Sequence, residues 1–125
     1  MKARMVLCGF AAVVLAIACN SRAPDPVEKG RMVYITNCVV CHNPNPNLPG
    51  SQGPAIAGAS EALLEARVLH LNYPPGYMPQ RKTHAMRAFP QLKNQIGDLY
   101  AFLAAAKQRS DEPNQATLKD SSAQH

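Results

Sequence analysis

Residues 38–42 read Cys38-Val39-Val40-Cys41-His42, and no other stretch of the sequence is as informative. Two cysteines three positions apart on a helical turn face the same side, so both sulfur atoms can reach one edge of a bound group. His42 follows immediately, and imidazole is the commonest metal ligand among side chains. The pattern therefore predicts one cofactor served by two sulfurs and one imidazole.

A C-x-x-C-H sequence is the signature of covalent haem attachment. A pair of cysteines at this spacing also occurs in redox-active thiol sites and as half of a zinc site. None of the other histidines stands at a spacing that would complete a zinc site, and the βαβ context of a thioredoxin-like site is missing. The motif therefore favours a single haem c.

The pattern of apolar residues and prolines predicts an all-α fold without strands. Helices are expected over 27–41, 60–71 and 92–107, separated by loops over 43–58 and 72–90. The last helix has its apolar residues at alternating spacings of four and three: Leu92, Ile96, Leu99, Leu103 and Ala106. A domain this small buries little apolar surface, so we expect three to four helices with long loops wrapped around the haem.

The N-terminal part of the chain predicts export. Residues 1–18 combine Lys2 and Arg4 with an uncharged apolar run and end in a small-x-small pattern, as in a signal peptide. Removing this segment lowers the formal net charge from +5 to +3, so the mature protein is mildly basic. The inferred compartment is the bacterial periplasm.

Cys19 directly follows the predicted signal peptide and begins a short polar tether, residues 19–26. It resembles the cysteine that becomes lipidated in bacterial lipoproteins, which would anchor the protein to a membrane. Ordinary cleavage after Ala18 or Ala23 remains the alternative. Beyond the tether we expect a domain over 27–108 and a polar, disordered tail over 109–125.

Residues 27–107 resemble the small class I c-type cytochromes, a family of monohaem proteins. Gly30 and Tyr34 stand where these proteins carry a glycine and an aromatic on the first helix, and Phe102 matches the aromatic of the last helix. Residues 53–58 are similar to the family's Gly-Pro-x-Leu-x-Gly segment. The resemblance implies covalent attachment through Cys38 and Cys41, an iron ligand in His42, and a Pro54 carbonyl that accepts the Nδ1 hydrogen of His42.

The family usually completes the iron coordination with methionine, and two methionines lie in the relevant loop. Met78 precedes Pro79, as the family's ligand commonly does, whereas Met86 has the better spacing. Met86 lies 16 residues before Phe102, and Met78 lies 24 residues before it. We favour Met86, with Met78 as the alternative if the intervening chain loops out.

Two histidines are further conceivable iron ligands: His70 and His84. Ligation by either would give a bis-histidine iron of lower potential. Two tyrosines, Tyr73 and Tyr77, could bond a haem propionate or simply pack.

The predicted function is one-electron transfer by a non-enzymatic carrier. The alternatives are a haem subunit of a larger periplasmic oxidoreductase and, less favoured, a gas- or peroxide-binding protein. Arg81, Lys82 and Arg87 lie near the ligand loop and could steer an acidic redox partner, or could form an ordinary solvated loop. Nothing in the sequence indicates a nucleic-acid partner.

Overall fold

The computed structural model describes residues 23–82 and 84–112. This part of the chain contains helices, turns and loops and no strand, so the predicted all-α fold is confirmed. None of the helices described there is both long enough and apolar enough to cross a bilayer.

Five helical elements follow one another in the described residues. In order they are α1 (Pro26–Asn37), α2 (Glu61–Leu64), the π-helical turn (Glu65–Leu69), the 3-10 segment (Pro90–Gln95) and α3 (Ile96–Asp111).

The crossing of α1 and α3 organises the domain. Gly30 lies so close to α3 that a Cβ atom there would overlap the Asp98 carbonyl group and approach Phe102 Cβ to 2.8 Å. The aromatic rings of Tyr34 and Phe102 meet one turn further along, with centroids 5.3 Å apart. The three residues that the sequence singled out on these helices therefore form the crossing.

The core lies between α3, α1 and the α2–π-turn unit. Tyr34, Leu99 and Leu103 are its largest fully buried side chains. Every residue of the predicted apolar stripe on the last helix is buried: Leu92, Ile96, Leu99, Leu103 and Ala106. The periodicity of the sequence thus identified the buried face correctly.

The first helix ends earlier than predicted. It stops at Asn37, and residues 38–41 form a turn, which is closed by a hydrogen bond from His42 N to Cys38 O at 2.9 Å. Asn43 precedes a proline, and a residue in that position is disfavoured in helical conformation. The Cys38-Val39-Val40-Cys41-His42 motif therefore lies on the turn after α1 and not inside the helix.

The second helix begins as predicted, because Ser60 Oγ accepts a hydrogen bond from Leu63 N at 3.2 Å. It then widens into the π-helical turn, which shifts the buried face. Leu69 is buried there, whereas Leu71, expected on the apolar face, is exposed.

Helix boundaries also differ from prediction at both ends of the domain. Pro26, assigned to the tether, is already the first residue of α1, where its fixed φ suits a helix start. Helix α3 continues to Asp111, so residues 109–111, predicted as part of a disordered tail, are helical.

Several expectations fall outside the described part of the chain. These are the signal peptide over 1–18, the lipidation or cleavage at Cys19, and the tail over 113–125.

Candidate cofactor site

The Cys38-Cys41-His42 motif opens onto a cavity of about 510 Å³. All three side chains line it, both cysteines are half-buried, and neither takes part in a disulfide. The turn after α1 therefore presents two thiols and one imidazole to the same space.

Apolar side chains form most of the remaining wall. They come from α2 with the π-helical turn, from the 3-10 segment and the residue that precedes it, and from α3: Leu63, Leu64, Val68, Phe89, Leu92 and Leu99. Cys38 and Met86 pack against the same hydrophobic core. A large, flat, apolar group fits this lining, and its burial would add to the small core.

His42 is held in one orientation by the loop that follows the motif. Its Nδ1 lies 2.9 Å from the Pro54 carbonyl oxygen. Because a carbonyl oxygen only accepts, Nδ1 carries a proton, and Nε2 is therefore the nitrogen with the free lone pair in the neutral imidazole. A metal ion bound at Nε2 would meet a ligand whose basicity this hydrogen bond raises.

Gly53 lies against the imidazole ring, and a Cβ atom at this position would overlap the ring atoms. Its backbone is fixed to the motif as well, because Gly53 N donates to Cys41 O at 2.9 Å. The sequence resemblance included this glycine without a reason for it. The reason is the close approach of the backbone to the ring.

Hydrogen bonds join the loop over 43–58 to α3 and connect parts of the loop to each other. Gly58 N donates to Leu103 O at 3.0 Å, and Asn47 Nδ2 donates to Ala106 O at 3.1 Å. Ile56 N and Ala57 N both donate to Pro46 O at 2.9 Å. These bonds fix the segment that orients His42.

The two methionines have different environments. Met86 is half-buried and lines the cavity, three residues before Phe89, which is buried and whose N–H donates to Val68 O at 2.7 Å. Met78 is 84% exposed and does not line the cavity. His70 and His84 are likewise exposed and lie outside its lining. The structure brings Met86 to the motif and leaves the three alternatives outside.

The charged residues of the cavity wall are all arginines: Arg67, Arg81 and Arg87. No aspartate or glutamate among the described residues lines it. Lys82, grouped with Arg81 and Arg87 by sequence, is exposed and outside the lining. Arg67 was not recognised from the sequence, because a single arginine on an amphipathic helix carries no distinctive pattern.

Burial affects two ionisable groups, the Cys38 thiol of the motif and the nearby Tyr34. It raises the pKa of the Cys38 thiol to about 11, and the neighbouring Cys41 adds to the rise. Burial, with a smaller contribution from Cys38, also raises the pKa of Tyr34 to about 12. Both groups are therefore neutral at physiological pH in the free polypeptide.

A zinc site gains no support from the geometry. Among residues 23–82 and 84–112, no group of three or more histidine, cysteine, aspartate or glutamate residues is arranged to hold a metal ion. The site instead offers two thiols, one oriented imidazole and one thioether around an apolar cavity, which is the donor set of a haem held by its vinyl groups and its iron.

Comparison with known proteins gives a family assignment. The family model described as Cytochrome c matches residues 27–107. No curated protein and no solved structure matches the chain. The matched range includes α1 apart from its first residue, the motif, the cavity lining and most of α3.

Proposed function

The chain belongs to the cytochrome c family, whose covalently bound haem c transfers electrons, and on that premise we propose that it is a one-electron carrier of the bacterial periplasm. The haem supplies an iron that alternates between the ferric and ferrous states. The polypeptide contributes the attachment, the ligands and the surroundings that set the potential. No acid–base or nucleophilic constellation is needed for this role.

Cys38 and Cys41 are the residues we propose as the thioether attachment points, with His42 as the first iron ligand. The observation that carries this proposal is the orientation of His42, whose Nδ1 bonds the Pro54 carbonyl at 2.9 Å, which leaves Nε2 as the ring nitrogen available to the iron. Covalent attachment retains the haem even where its edge is open to solvent, which suits outer-sphere electron transfer.

Met86 is our proposed second iron ligand. Its half-buried position on the cavity wall supports it, whereas the 84% exposure of Met78 argues against the alternative. A thioether is a soft ligand that favours ferrous iron, so ligation by Met86 would raise the reduction potential.

The distribution of charge supports an acidic redox partner. Residues 66–97, which we call the basic segment, contain Arg67, Arg81, Lys82, Arg87 and Lys93 and no aspartate or glutamate. The flanking ranges 23–65 and 98–112 contain seven acidic against four basic residues. Three arginines of the basic segment, Arg67, Arg81 and Arg87, line the cavity. A partner with an acidic patch would therefore be steered toward the haem.

The location of the carrier is proposed from residues 1–19 alone. An export signal fits haem attachment outside the cytoplasm, and a lipid on Cys19 would tether the mature protein to a membrane. Fractionation of cells that express the full chain and Cys19→Ser tests both points. Release of only the variant into the soluble periplasmic fraction supports the tether, and soluble wild-type protein overturns it.

The iron ligands are tested by near-infrared spectroscopy of the oxidised holoprotein, of Met86→Ala and of Met78→Ala. We expect a sulfur-to-ferric-iron charge-transfer band in the wild type and in Met78→Ala, and its loss in Met86→Ala. Loss of the band only in Met78→Ala would keep the carrier function and reverse the ligand assignment. If the wild-type protein lacks the band and binds carbon monoxide when reduced, the carrier function is wrong and the gas-binding alternative takes its place.

A further inference from the structure

The end of the second helix departs from ordinary backbone geometry at two neighbouring points. Residues Glu65–Leu69 form a π-helical turn, and Leu71 has φ of +56°, the only positive φ of a non-glycine residue in the described part of the chain. Both features are unfavourable for an L-residue helix and tend to occur where function requires a particular placement. The question is which side chain they place.

Arg67 lies within the π-helical turn and is held at three points. Its Nη1 donates to Leu71 O at 2.7 Å, and its own carbonyl accepts from Leu71 N at 3.1 Å. Its guanidinium carbon lies 4.5 Å from the centroid of the Tyr73 ring, which stacks on Tyr77 with centroids 5.3 Å apart. The left-handed Leu71 thus closes a reciprocal pair of bonds that fixes the guanidinium on an aromatic support.

This fixed guanidinium lines the cavity without an acidic partner from the described residues. The ion pairs among the described residues join Arg31 to Glu28 on α1 and Lys107 to Asp111 on α3. Neither pair involves Arg67. Of the five N–H donors of Arg67, one bonds Leu71 O. A half-buried cation with several donors left over is suited to an anion that enters the cavity.

We propose that Arg67 binds a carboxylate of the haem and is its counter-ion. The proposal rests on the haem c function above, because the haem brings two propionate carboxylates into a cavity whose own charged residues are all arginines. A guanidinium pairs with a carboxylate through two parallel hydrogen bonds, which a lysine cannot reproduce.

The two other arginines of the wall are less suited to this role. Arg87 is exposed, and its guanidinium lies 4.9 Å from the centroid of the Phe89 ring, beside the ligand loop. Arg81 is half-buried but belongs to a loop without regular structure. Only Arg67 combines partial burial, a backbone bond and an aromatic support.

The binding of a carboxylate by Arg67 has a consequence for the haem potential. A positive charge beside the haem, paired with its propionate, disfavours the ferric state, which carries one more positive charge. Loss of Arg67 leaves the carboxylate unpaired, so we expect the reduction potential to fall.

The test compares the holoprotein with Arg67→Leu, Arg67→Lys and the control Arg109→Leu, which removes the same charge from an exposed site on α3 outside the cavity lining. Potentiometry and resonance Raman spectra of the propionate bending mode are the readouts. We expect a lower potential and a lower bending frequency in Arg67→Leu. Arg67→Lys should recover most of the potential and not the frequency, and Arg109→Leu should match the wild type.

A Raman band that is identical in wild type and Arg67→Leu would overturn the proposal. If Arg67→Leu fails to accumulate, Tyr73→Leu keeps the charge and removes the aromatic support, and it should shift the same band in the same direction. An unchanged band in Tyr73→Leu would then overturn the proposal. A pyridine haemochrome spectrum is recorded first. Absence of haem c would refute the proposed function itself, whereas its presence leaves the Raman result to test the role of Arg67 alone.

Discussion

The Nδ1 atom of His42 and the carbonyl oxygen of Pro54 lie 2.9 Å apart, which joins the haem-attachment motif to a segment twelve residues further along the chain. Gly53 precedes that proline and packs against the imidazole ring. The same short segment therefore selects the tautomer of the imidazole and confines its plane. We therefore expect substitutions in this segment to affect the iron site more than its small contribution to the core suggests.

Gly53→Ala should displace His42, because the added Cβ would overlap the ring. We expect less holoprotein and, in the fraction that forms, a lower reduction potential, since the bond to Pro54 would be lost and the ligand less well oriented. The haem absorbance per polypeptide and a potentiometric titration measure both effects.

Gly97→Ala is the matched control for this substitution. A Cβ atom at Gly97 meets only Glu61 Oε1, at 3.6 Å, which is an ordinary contact. Since alanine is favoured over glycine in helices by about 1 kcal/mol, this variant should be as stable as the wild type or more so. Equal haem content in both variants would contradict the role assigned to Gly53.

Gly30→Ala should destabilise the whole domain by separating α1 from α3. The added methyl group would overlap the Asp98 carbonyl, which is backbone and cannot rotate away. Overpacking of this kind costs about 1–3 kcal/mol. Guanidinium unfolding followed by far-ultraviolet circular dichroism measures the free energy of unfolding, and a Gly30→Ala protein as stable as the wild type would refute the close crossing.

Burial of Tyr34 should make the protein sensitive to alkali. The side chain is fully buried and its hydroxyl donates to Asn43 O at 2.6 Å, while burial raises its pKa to about 12. In the unfolded chain a tyrosine ionises near a pKa of about 10. Between these two values the native state holds one more proton, so this stabilisation is complete below about pH 10 and is lost as the pH rises through about 12.

Tyr34→Phe isolates this contribution. At neutral pH the variant should lose about 1 kcal/mol with the hydrogen bond to Asn43. Between about pH 10 and 12 the free energy of unfolding of the wild type should fall more steeply than that of the variant, by about 1.4 kcal/mol per pH unit. If Cys38 carries the haem as proposed, it is a thioether in the holoprotein and cannot ionise, and the effect then depends on burial alone. Parallel curves would contradict it.

The sequence was sufficient for the parts of the fold that depend on local spacing. The apolar stripe of the last helix, the Ser60 cap and the fold class are confirmed because each follows from helix periodicity or a local hydrogen bond. The π-helical turn was missed because the residues 65–69 have ordinary helical propensities. The turn takes part in a tertiary contact that those propensities do not encode, since Val68 O accepts from Phe89 N.

The candidate site shows the same division. The motif itself and the choice of Met86 over Met78 as the methionine near it could be predicted from spacing. The closeness of Gly53 to the imidazole could not, because it depends on how the loop folds back on the motif. The fixation of Arg67 could not either, although its partner Leu71 is only four residues away, because that bond accompanies the π-helical turn and the left-handed Leu71. Contacts between individual pairs of residues leave no periodic pattern in the sequence.

The basic segment gives a prediction about charge and rate that needs no knowledge of the natural partner. At low ionic strength, the basic segment should accelerate the reaction of the reduced protein with the anionic oxidant hexacyanoferrate(III). Added salt should slow this reaction, because it screens the attraction between the opposite charges. Arg81→Gln with Lys82→Gln should lower this rate on the order of a few-fold. Stopped-flow absorbance of the haem measures it, with the potential of each variant recorded so that driving force is not mistaken for steering.

The control for this experiment reverses the charge of the reagent. Tris(phenanthroline)cobalt(III) is a cationic oxidant, so the double variant should react with it faster than the wild type, and salt should accelerate the wild-type reaction. Arg109→Gln, at the exposed end of α3, removes a charge outside the basic segment and should change neither rate appreciably. The double variant removes two charges and Arg109→Gln removes one. An Arg109→Gln effect about half as large in the logarithm of the rate would mean that net charge alone governs the encounter, and an acidic partner would then have no preferred side of approach.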